Sequence, residues 1–160
     1  MTLAAPKTIY CIDTSSIIKW YVEEYSPSIF EGLQDRIEAL IDKGRLISPK
    51  AVFDEIKPGD DCHKWCKGAE GLFVEEAVSV QTIVRALMSA HHNPAKPHKG
   101  INGADPFVIA VAKDGGGNWT VVADEHPGSD ENRKIPYVCN AESVKCITFK
   151  QMMIAEGWKF

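Results

Sequence analysis

The sequence predicts an α/β fold with three α/β/α layers around a central, mostly parallel sheet. Short apolar runs without polar alternation are typical of strands buried on both faces. Segments with helical spacing of apolar residues separate those runs, and this alternation favours a parallel sheet covered on both faces. Two of the runs end directly in an aspartate, Asp13 and Asp124. Ligands of such sheets bind beyond the carboxyl ends of the strands, so we expect a binding site at the edge where these two aspartates lie.

Length and composition narrow the class of protein. The 160 residues, 44% of them hydrophobic, predict one globular domain spanning 1–160. There is no apolar run of eighteen residues, no secretory signal pattern and no disulfide framework among five scattered cysteines, so we expect a cytoplasmic protein that does not enter the membrane. A net charge of −4 argues against coating nucleic acid by bulk charge. It leaves open an enzyme that reaches nucleic acid through metal ions.

The first half of the chain predicts two strands and three helices. We expect strands over 8–12 and 45–48, a helix from Thr14 to about Val22, and an amphipathic helix over 29–41. Ser48 and Pro49 resemble an N-cap followed by proline at the first helical position, which predicts a helix through Ile56.

The second half predicts an irregular or short-helical stretch, two longer helices and two strands. In chain order, the pattern indicates irregular or short-helical structure over 57–72, a helix over 74–92, a loop over 93–100, a helix from Asp105 to Ala112, strands over 120–123 and 145–149, and a short terminal helix.

Each acid at the predicted sheet edge has an ordinary explanation when it is taken alone. Asp13 and Asp105 suit helix N-caps, Glu55 borders an apolar stripe, and Asp124 with Glu125 suits a turn. Several carboxylates converging on one edge would repel one another without a cation, and oxygen-rich sites suit Mg²⁺ or Mn²⁺. Two such ions can activate water and stabilise the leaving oxygen of a phosphodiester.

The order of these motifs resembles the PIN-domain nucleases. The resemblance consists of Asp13-Thr14-Ser15 after the first strand, Glu55 in 52–56, Asp105 in 105–112 and Asp124 after the strand over 120–123. It covers nearly the whole chain, from Ile9 to Phe149. The run Lys134-Ile-Pro-Tyr-Val-Cys139 is similar to an uncharacterised bacterial branch of PIN-like proteins.

The resemblance implies a metal-dependent endoribonuclease with a PIN-like fold, often the toxin of a type II toxin–antitoxin pair. It implies an RNA substrate, Mg²⁺ or Mn²⁺, an antitoxin partner and a homodimer. By position, the catalytic and metal-binding carboxylates would be Asp13, Glu55, Asp105 and Asp124. Ser15 would orient the first acid, a water molecule or a phosphate. Val122 departs from the motif, which usually has threonine there, and the adjacent Glu125 is an alternative to Asp124 as the fourth acid.

Several alternatives stay open at this point. Lys96, His98 and Lys99 can bind RNA phosphates or belong to an ordinary solvated loop, and Cys62 with Cys66 can serve a zinc site or simply pack. Apolar positions within 17–41 suit either the core or a dimer or antitoxin interface. The chain can also be a PIN-like scaffold that binds RNA or a partner without cutting. Less favoured is a phosphoaspartate hydrolase with Asp13 as nucleophile, because Ser15 occupies the position where that chemistry usually has a second acid.

Overall fold

A computed structural model of the chain, described here for residues 7–160, contains a five-stranded parallel sheet. The strand order is β3-β2-β1-β4-β5, and every neighbouring pair is parallel. The strands are β1 (Ile9–Ile12), β2 (Leu46–Pro49), β3 (Phe73–Val74), β4 (Trp119–Val122) and β5 (Lys145–Ile147).

Helices connect these strands and cover the sheet. They are α1 (Thr14–Ile18), continued by a π-helical segment (Lys19–Glu24), α2 (Glu31–Asp42), α3 (Lys50–Glu55), α4 (Asp61–Gly68), α5 (Val78–His91), α6 (Asp105–Gly115), α7 (Ile135–Ala141) and α8 (Phe149–Ala155). The predicted three-layer α/β/α architecture with a parallel sheet is confirmed.

The core lies on both faces of the central strands. Helix α6 packs against β1, β2 and β4, with α5 and α7 beside it, and its residues from Val108 to Ala112 are all buried. Helix α2 packs against β2, and the Trp20 and Phe149 rings stack in parallel at 6.3 Å. Strand residues on both faces are therefore buried, which is why the strands carry continuous apolar runs rather than alternating ones.

The strand order determines where the sheet can bind a ligand. From β1 the chain moves outward through β2 to β3, and then crosses back to place β4 on the other side of β1. The connections that leave β1 and β4 therefore diverge, and a crevice opens at the carboxyl ends of these two strands. Asp13 follows the last residue of β1, and Asp124 and Glu125 follow β4 after one alanine. The topology brings these acids to one crevice.

The structure corrects several predicted elements. Ser48 and Pro49 belong to β2 and helix α3 begins at Lys50, because the Ser48 hydroxyl donates to the Ile12 carbonyl oxygen at 2.8 Å instead of capping a helix. Residues 73–74 form a strand against β2, so the following helix begins at Val78 rather than 74.

Other boundaries also differ from the sequence pattern. The first helix changes to a π-helical segment at Lys19. The stretch over 57–72, predicted as irregular or short-helical, contains the short helix α4, as expected. Strand β5 ends at Ile147, because Thr148 and Gln151 form a reciprocal capping box that starts α8. The predicted strand over 145–149 was therefore two residues too long.

In the part of the chain that the structure describes, no helix is both long enough and apolar enough to cross a membrane. All five cysteines are free thiols, and four of them are buried.

Candidate metal centre

Asp13 lies at the junction between β1 and α1 and is 3% exposed. As predicted, it is the N-cap of α1: its Oδ2 accepts from the Ser15 backbone N–H at 3.1 Å and from the Ser15 hydroxyl at 2.6 Å. These bonds fix one carboxylate oxygen. The other, Oδ1, is buried and has no hydrogen-bond partner among the described residues.

Asp105 is the first residue of α6, and Pro106 follows it. The prediction that Asp105 caps the helix is wrong, because Ala104 occupies the cap position and the Asp105 Oδ2 accepts from the Asn102 N–H at 3.1 Å. This bond belongs to the turn that precedes the helix. The other oxygen of the Asp105 carboxylate takes no part in this bond.

The two adjacent acids after β4 have different environments. The Asp124 Oδ2 accepts from the Ser16 hydroxyl at 2.5 Å and from the Phe149 N–H at 3.1 Å, so this carboxylate ties α1 to the start of α8. Glu125, and not Asp124, joins the group formed with Asp13 and Asp105. Its Oε1 is buried and, among the described residues, unpartnered.

Glu55 is the last residue of α3 and lies at the rim of this group. Its Oε1 accepts from the Ala104 N–H at 2.8 Å, and its Oε2 accepts from the Thr14 hydroxyl at 2.8 Å. A Cβ at Gly103 would lie 2.5 Å from Glu55 Oε1, and Gly103 has φ +54°, so glycine is what permits this approach. Glu55 therefore connects the starts of α1 and α6, which carry Asp13 and Asp105.

Three carboxylates form a compact group: Asp13, Asp105 and Glu125 each contribute one oxygen atom, and these three atoms lie within 4.8 Å of one another. The acids come from the end of β1, the start of α6 and the connection after β4. Among residues 7–160, this is the one group of three or more His, Cys, Asp or Glu side chains at such spacing.

The electrostatics of the group oppose full ionisation. Burial, together with the negative charges of Asp13, Glu125 and Glu55, raises the pKa of Asp105 to about 7. The hydrogen bond from the Asn102 N–H acts in the opposite direction and lowers it. Burial likewise raises the pKa of Glu125 to about 7, aided by Asp13 and opposed by Lys134. Burial also raises the pKa of Asp13, although the Ser15 hydrogen bonds lower it. Without a cation, we therefore expect Asp105 and Glu125 to be partly protonated near pH 7.

The donor set fits a hard divalent cation. Two buried carboxylate oxygens, Asp13 Oδ1 and Glu125 Oε1, have no partner among the described residues, although buried acceptors are normally satisfied. A divalent cation would satisfy both oxygens and would reduce the like-charge repulsion. Oxygen-only ligands suit Mg²⁺ or Mn²⁺ rather than zinc.

Comparison with known families gives one match. A family model described as a domain of unknown function, DUF4411, matches residues 10–160. The chain belongs to this family. The matched region includes all three carboxylates of the group and both acids beside it. No curated protein matches this DUF4411 chain.

Other residues that the sequence indicated lie outside the carboxylate group. The Ser15 hydroxyl donates to Asp13 and accepts from the Asp124 N–H at 3.0 Å, so it orients the first acid. Lys96 pairs with Glu131 at 3.5 Å, and Lys99 is exposed in the same loop. Within the described residues, Cys62 and Cys66 belong to no group of three metal ligands. The zinc alternative therefore gains no further ligand there.

Sequence reasoning missed the roles of several residues. The Thr14 hydroxyl donates to Glu55, and the Ser16 hydroxyl donates to Asp124. The positive charge of Lys134 lowers the pKa of Glu125. The dipeptide Asp124-Glu125 was the available signal for the third acid. It could not show which of the two carboxylates faces the group.

Proposed function

We propose that this DUF4411 protein is a metal-dependent endoribonuclease of the PIN-like kind that hydrolyses RNA phosphodiester bonds. One observation carries the proposal: three carboxylates meet at the sheet crevice, and two of them present buried oxygens that have no hydrogen-bond partner in residues 7–160. The PIN-like order of motifs supplies the expected reaction and substrate class. The acid set in the proposal is Asp13, Asp105 and Glu125, with Glu55 at its rim.

The residues have distinct tasks in this proposal. Asp13, Asp105 and Glu125 would hold the cation, and Ser15 keeps Asp13 in its orientation. Glu55 fixes the turn before α6 and so the position of Asp105. When bound, Mg²⁺ or Mn²⁺ activates a water molecule and stabilises the leaving oxygen of an in-line displacement. The side chains therefore supply position and charge, and none of the three carboxylates has to act as the base.

The biological setting is part of the same proposal. By its PIN resemblance, the protein would be the cytoplasmic toxin of a type II toxin–antitoxin pair, acting as a homodimer. Val22, Ile29 and Phe30 expose apolar side chains in the segment where the sequence suggested an interface. These side chains are the surface on which we expect either the second copy or the antitoxin to pack.

Within the described part of the chain, no contact favours the phosphoaspartate hydrolase. Asp13 is almost fully buried, and the residue two positions later is a serine whose hydroxyl is already bonded to Asp13 and Asp124. The non-catalytic scaffold differs from the nuclease in its activity alone, so the experiment below separates the two.

The test measures metal binding and RNA cleavage on one set of proteins. The full chain is freed of metal with EDTA, titrated with Mn²⁺ by calorimetry, and incubated with fluorescently labelled RNA. We expect Mn²⁺-dependent cleavage that EDTA abolishes and that Asp13→Asn lowers at least a hundredfold, because the substitution removes a charged ligand. Asp54→Asn removes an exposed acid of α3 and should leave both readouts unchanged.

Two results would contradict the proposal. Cleavage that survives both EDTA and Asp13→Asn would assign the activity to another site or a contaminant. Mn²⁺ binding at the three acids without cleavage of any RNA substrate would favour the scaffold.

A further inference from the structure

Two connections carry two of the three acids of the carboxylate group. Residues 92–104 lead from α5 to Asp105 at the start of α6, and residues 123–134 lead from β4 through Glu125 to α7. Oxygen atoms of these two acids lie within 4.8 Å of each other. Their spacing depends on how the two connections are held together, so a side chain that joins the connections can set the geometry of the group.

The second connection folds into a tight hairpin over 127–134. The Lys134 N–H donates to the Pro127 carbonyl oxygen at 3.1 Å. Ser129 and Asn132 exchange two backbone hydrogen bonds, each 3.1 Å long. This closure fixes the backbone of Asn132 relative to the start of the hairpin, which lies two residues after the acid of this connection.

Arg133 anchors this hairpin to the end of α5. Its Nη1 lies 3.0 Å from the His91 Nδ1, and its Nε and Nη2 donate to the carbonyl oxygen and the Oδ1 of Asp130 at 3.0 and 2.6 Å. Arginine can only donate, so the His91 Nδ1 accepts this bond. Because the anchor does not involve the Asn132 side chain, we expect a substitution at Asn132 to leave the hairpin in place.

The Asn132 side chain begins a series of hydrogen bonds that ends on Asp105. Its Oδ1 accepts from the Gly100 N–H at 2.7 Å. The Gly100 carbonyl oxygen accepts from the Asn102 Nδ2 at 3.3 Å, and the Asn102 N–H donates to the Asp105 Oδ2 at 3.1 Å. Three bonds therefore lead from the hairpin of one connection to a carboxylate oxygen carried by the other.

The contact at Gly100 is close and buried. Gly100 has φ +79°, and a Cβ there would lie 3.5 Å from the Arg133 carbonyl oxygen and 3.7 Å from the His91 carbonyl oxygen. The glycine is buried, so its N–H needs an acceptor inside the protein, and the Asn132 Oδ1 provides it. Without that acceptor, a buried donor would be unsatisfied and the turn before α6 would be free to shift.

We propose that Asn132 is a positioning residue of the metal centre, whose Oδ1 holds the turn before Asp105 so that Asp105 and Glu125 can bind the same divalent cation. This inference rests on the metal centre of the proposed function and adds a residue that acts through the turn rather than as a ligand. Loss of a residue that orients metal ligands typically lowers metal affinity by about 10- to 100-fold. Asn132 acts through Gly100 and Asn102, so we expect the lower end of that range.

The experiment compares two half-buried asparagines, each with a side-chain bond to the backbone of a distant segment. Asn132→Leu removes the Oδ1 acceptor at nearly constant size. Asn118→Leu removes a 3.3 Å bond from the Asn118 Nδ2 to the Lys7 carbonyl oxygen, before the first residue of β4 and so at the opposite end of the sheet from the acids. Asn132→Asp keeps an acceptor oxygen.

Three measurements are made on the full chain and each variant. Calorimetry gives the Mn²⁺ affinity of the metal-free protein. Cleavage of fluorescently labelled RNA over a series of Mn²⁺ concentrations gives the concentration for half-activation and the kcat at saturation. Thermal unfolding in EDTA gives the stability of each variant.

We expect Asn132→Leu to weaken Mn²⁺ binding about tenfold and to raise the half-activating Mn²⁺ concentration by the same factor. At saturating Mn²⁺ its kcat should return to within about twofold of the unaltered value, because Asn132 affects metal affinity and not the reaction step. Asn132→Asp should keep the Mn²⁺ affinity within about threefold, since its carboxylate still accepts from the Gly100 N–H. Asn118→Leu should leave the affinity unchanged whatever its effect on Tm.

A milder variant serves if Asn132→Leu does not fold. Asn132→Ala leaves space for water at the Gly100 N–H, so we expect its Mn²⁺ affinity to fall about threefold. Asn118→Ala is then the matched control, and equal Mn²⁺ affinity of the two alanine variants would overturn the inference.

The outcomes separate this inference from the nuclease proposal. Equal Mn²⁺ affinity of Asn132→Leu and Asn118→Leu would overturn the inference and leave the nuclease in place. A loss of kcat at saturating Mn²⁺ with unchanged Mn²⁺ affinity would also overturn it. Weaker Mn²⁺ binding by Asn132→Leu in a protein that cleaves no RNA would support the positioning role and refute the nuclease. Failure of the unaltered chain to bind Mn²⁺ would refute both.

Discussion

Replacing Glu125 with glutamine should stabilise the metal-free protein and destroy its response to metal. Burial and the neighbouring charge of Asp13 raise the pKa of Glu125 from an ordinary 4.5 to about 7. The unfolded chain ionises this group at the lower value, so the folded protein loses stability as the pH rises from 4.5 to 7. Above pH 7 the loss is constant. The amide of glutamine does not ionise, so the Glu125→Gln variant does not lose this stability.

The magnitude follows from the pKa. One pKa unit corresponds to about 1.4 kcal/mol, so the full rise is worth roughly 3 kcal/mol. Glu125 is not fully buried and the amide also loses water on folding, so we expect a gain of about 1–2 kcal/mol at pH 8. For a chain of this length that gain raises the Tm by roughly 3–6 °C. Near pH 4.5 the gain should vanish.

The assay is thermal and urea unfolding of the unaltered chain and of two variants, at pH 4.5 and pH 8, with EDTA or Mn²⁺. Mn²⁺ at a hundred times its Kd should stabilise the unaltered chain by about 2.7 kcal/mol and Glu125→Gln far less. Asp124→Asn removes the same charge one residue away, where it weakens bonds to Ser16 and Phe149. It should destabilise the fold by about 1 kcal/mol and keep the Mn²⁺ response.

Two results would contradict this prediction. If Glu125→Gln destabilised the metal-free protein at pH 8, the carboxylate would be a net stabilising group and the described repulsion would be wrong. If Asp124→Asn lost the Mn²⁺ response and Glu125→Gln kept it, the two neighbours would have their roles exchanged.

Three further outcomes are expected. The metal-free protein should lose stability as the pH rises from about 4 to 7, because the pKa of Asp105 is also raised to about 7. Mn²⁺ should reverse most of that loss. A free energy of urea unfolding in EDTA that does not change with pH would contradict this prediction. Glu156→Gln should lower the free energy of unfolding by about 2 kcal/mol at pH 7, because it disrupts the ion pair with Arg45, whose two bonds are 2.8 and 2.7 Å long. Since that pair lowers the pKa of Glu156, the loss of stability should shrink as the pH falls below 4. A loss that is independent of pH would contradict this prediction. Ile29→Asp places a charge on a side chain that is 75% exposed, so light scattering should show loss of the proposed homodimer with little change in Tm, whereas an unchanged mass would remove this surface from the interface.

The parts of the fold that depend on local pattern were predictable from the sequence. The buried strands β1, β2 and β4 are mostly apolar and show no alternation of apolar and charged residues, and the helix that begins at Asp105 has a clear start. Strand β3 has two residues, too few for any periodicity, and exists because it pairs with Ser48 and Pro49. The π-helical segment at Lys19 likewise has no signature in its composition.

The sequence indicated that the site would be acidic, but it did not show which acids belong to it. Parallel topology brings the ends of β1 and β4 together, so an acidic edge follows from the sequence pattern. The choice between Asp124 and Glu125 depends on Ser16 and Phe149, which are far away in the chain and occupy the Asp124 carboxylate. No local pattern encodes such long-range hydrogen bonds.

The central claim is that Asp13, Asp105 and Glu125 hold a divalent cation. Crystals of the full chain soaked in Mn²⁺ and measured for anomalous scattering test it most directly. We expect a strong peak about 2.0–2.4 Å from an oxygen of each of these residues, including Asp13 Oδ1. Well-ordered crystals with an empty crevice at millimolar Mn²⁺, or with the ion bound elsewhere, would contradict it.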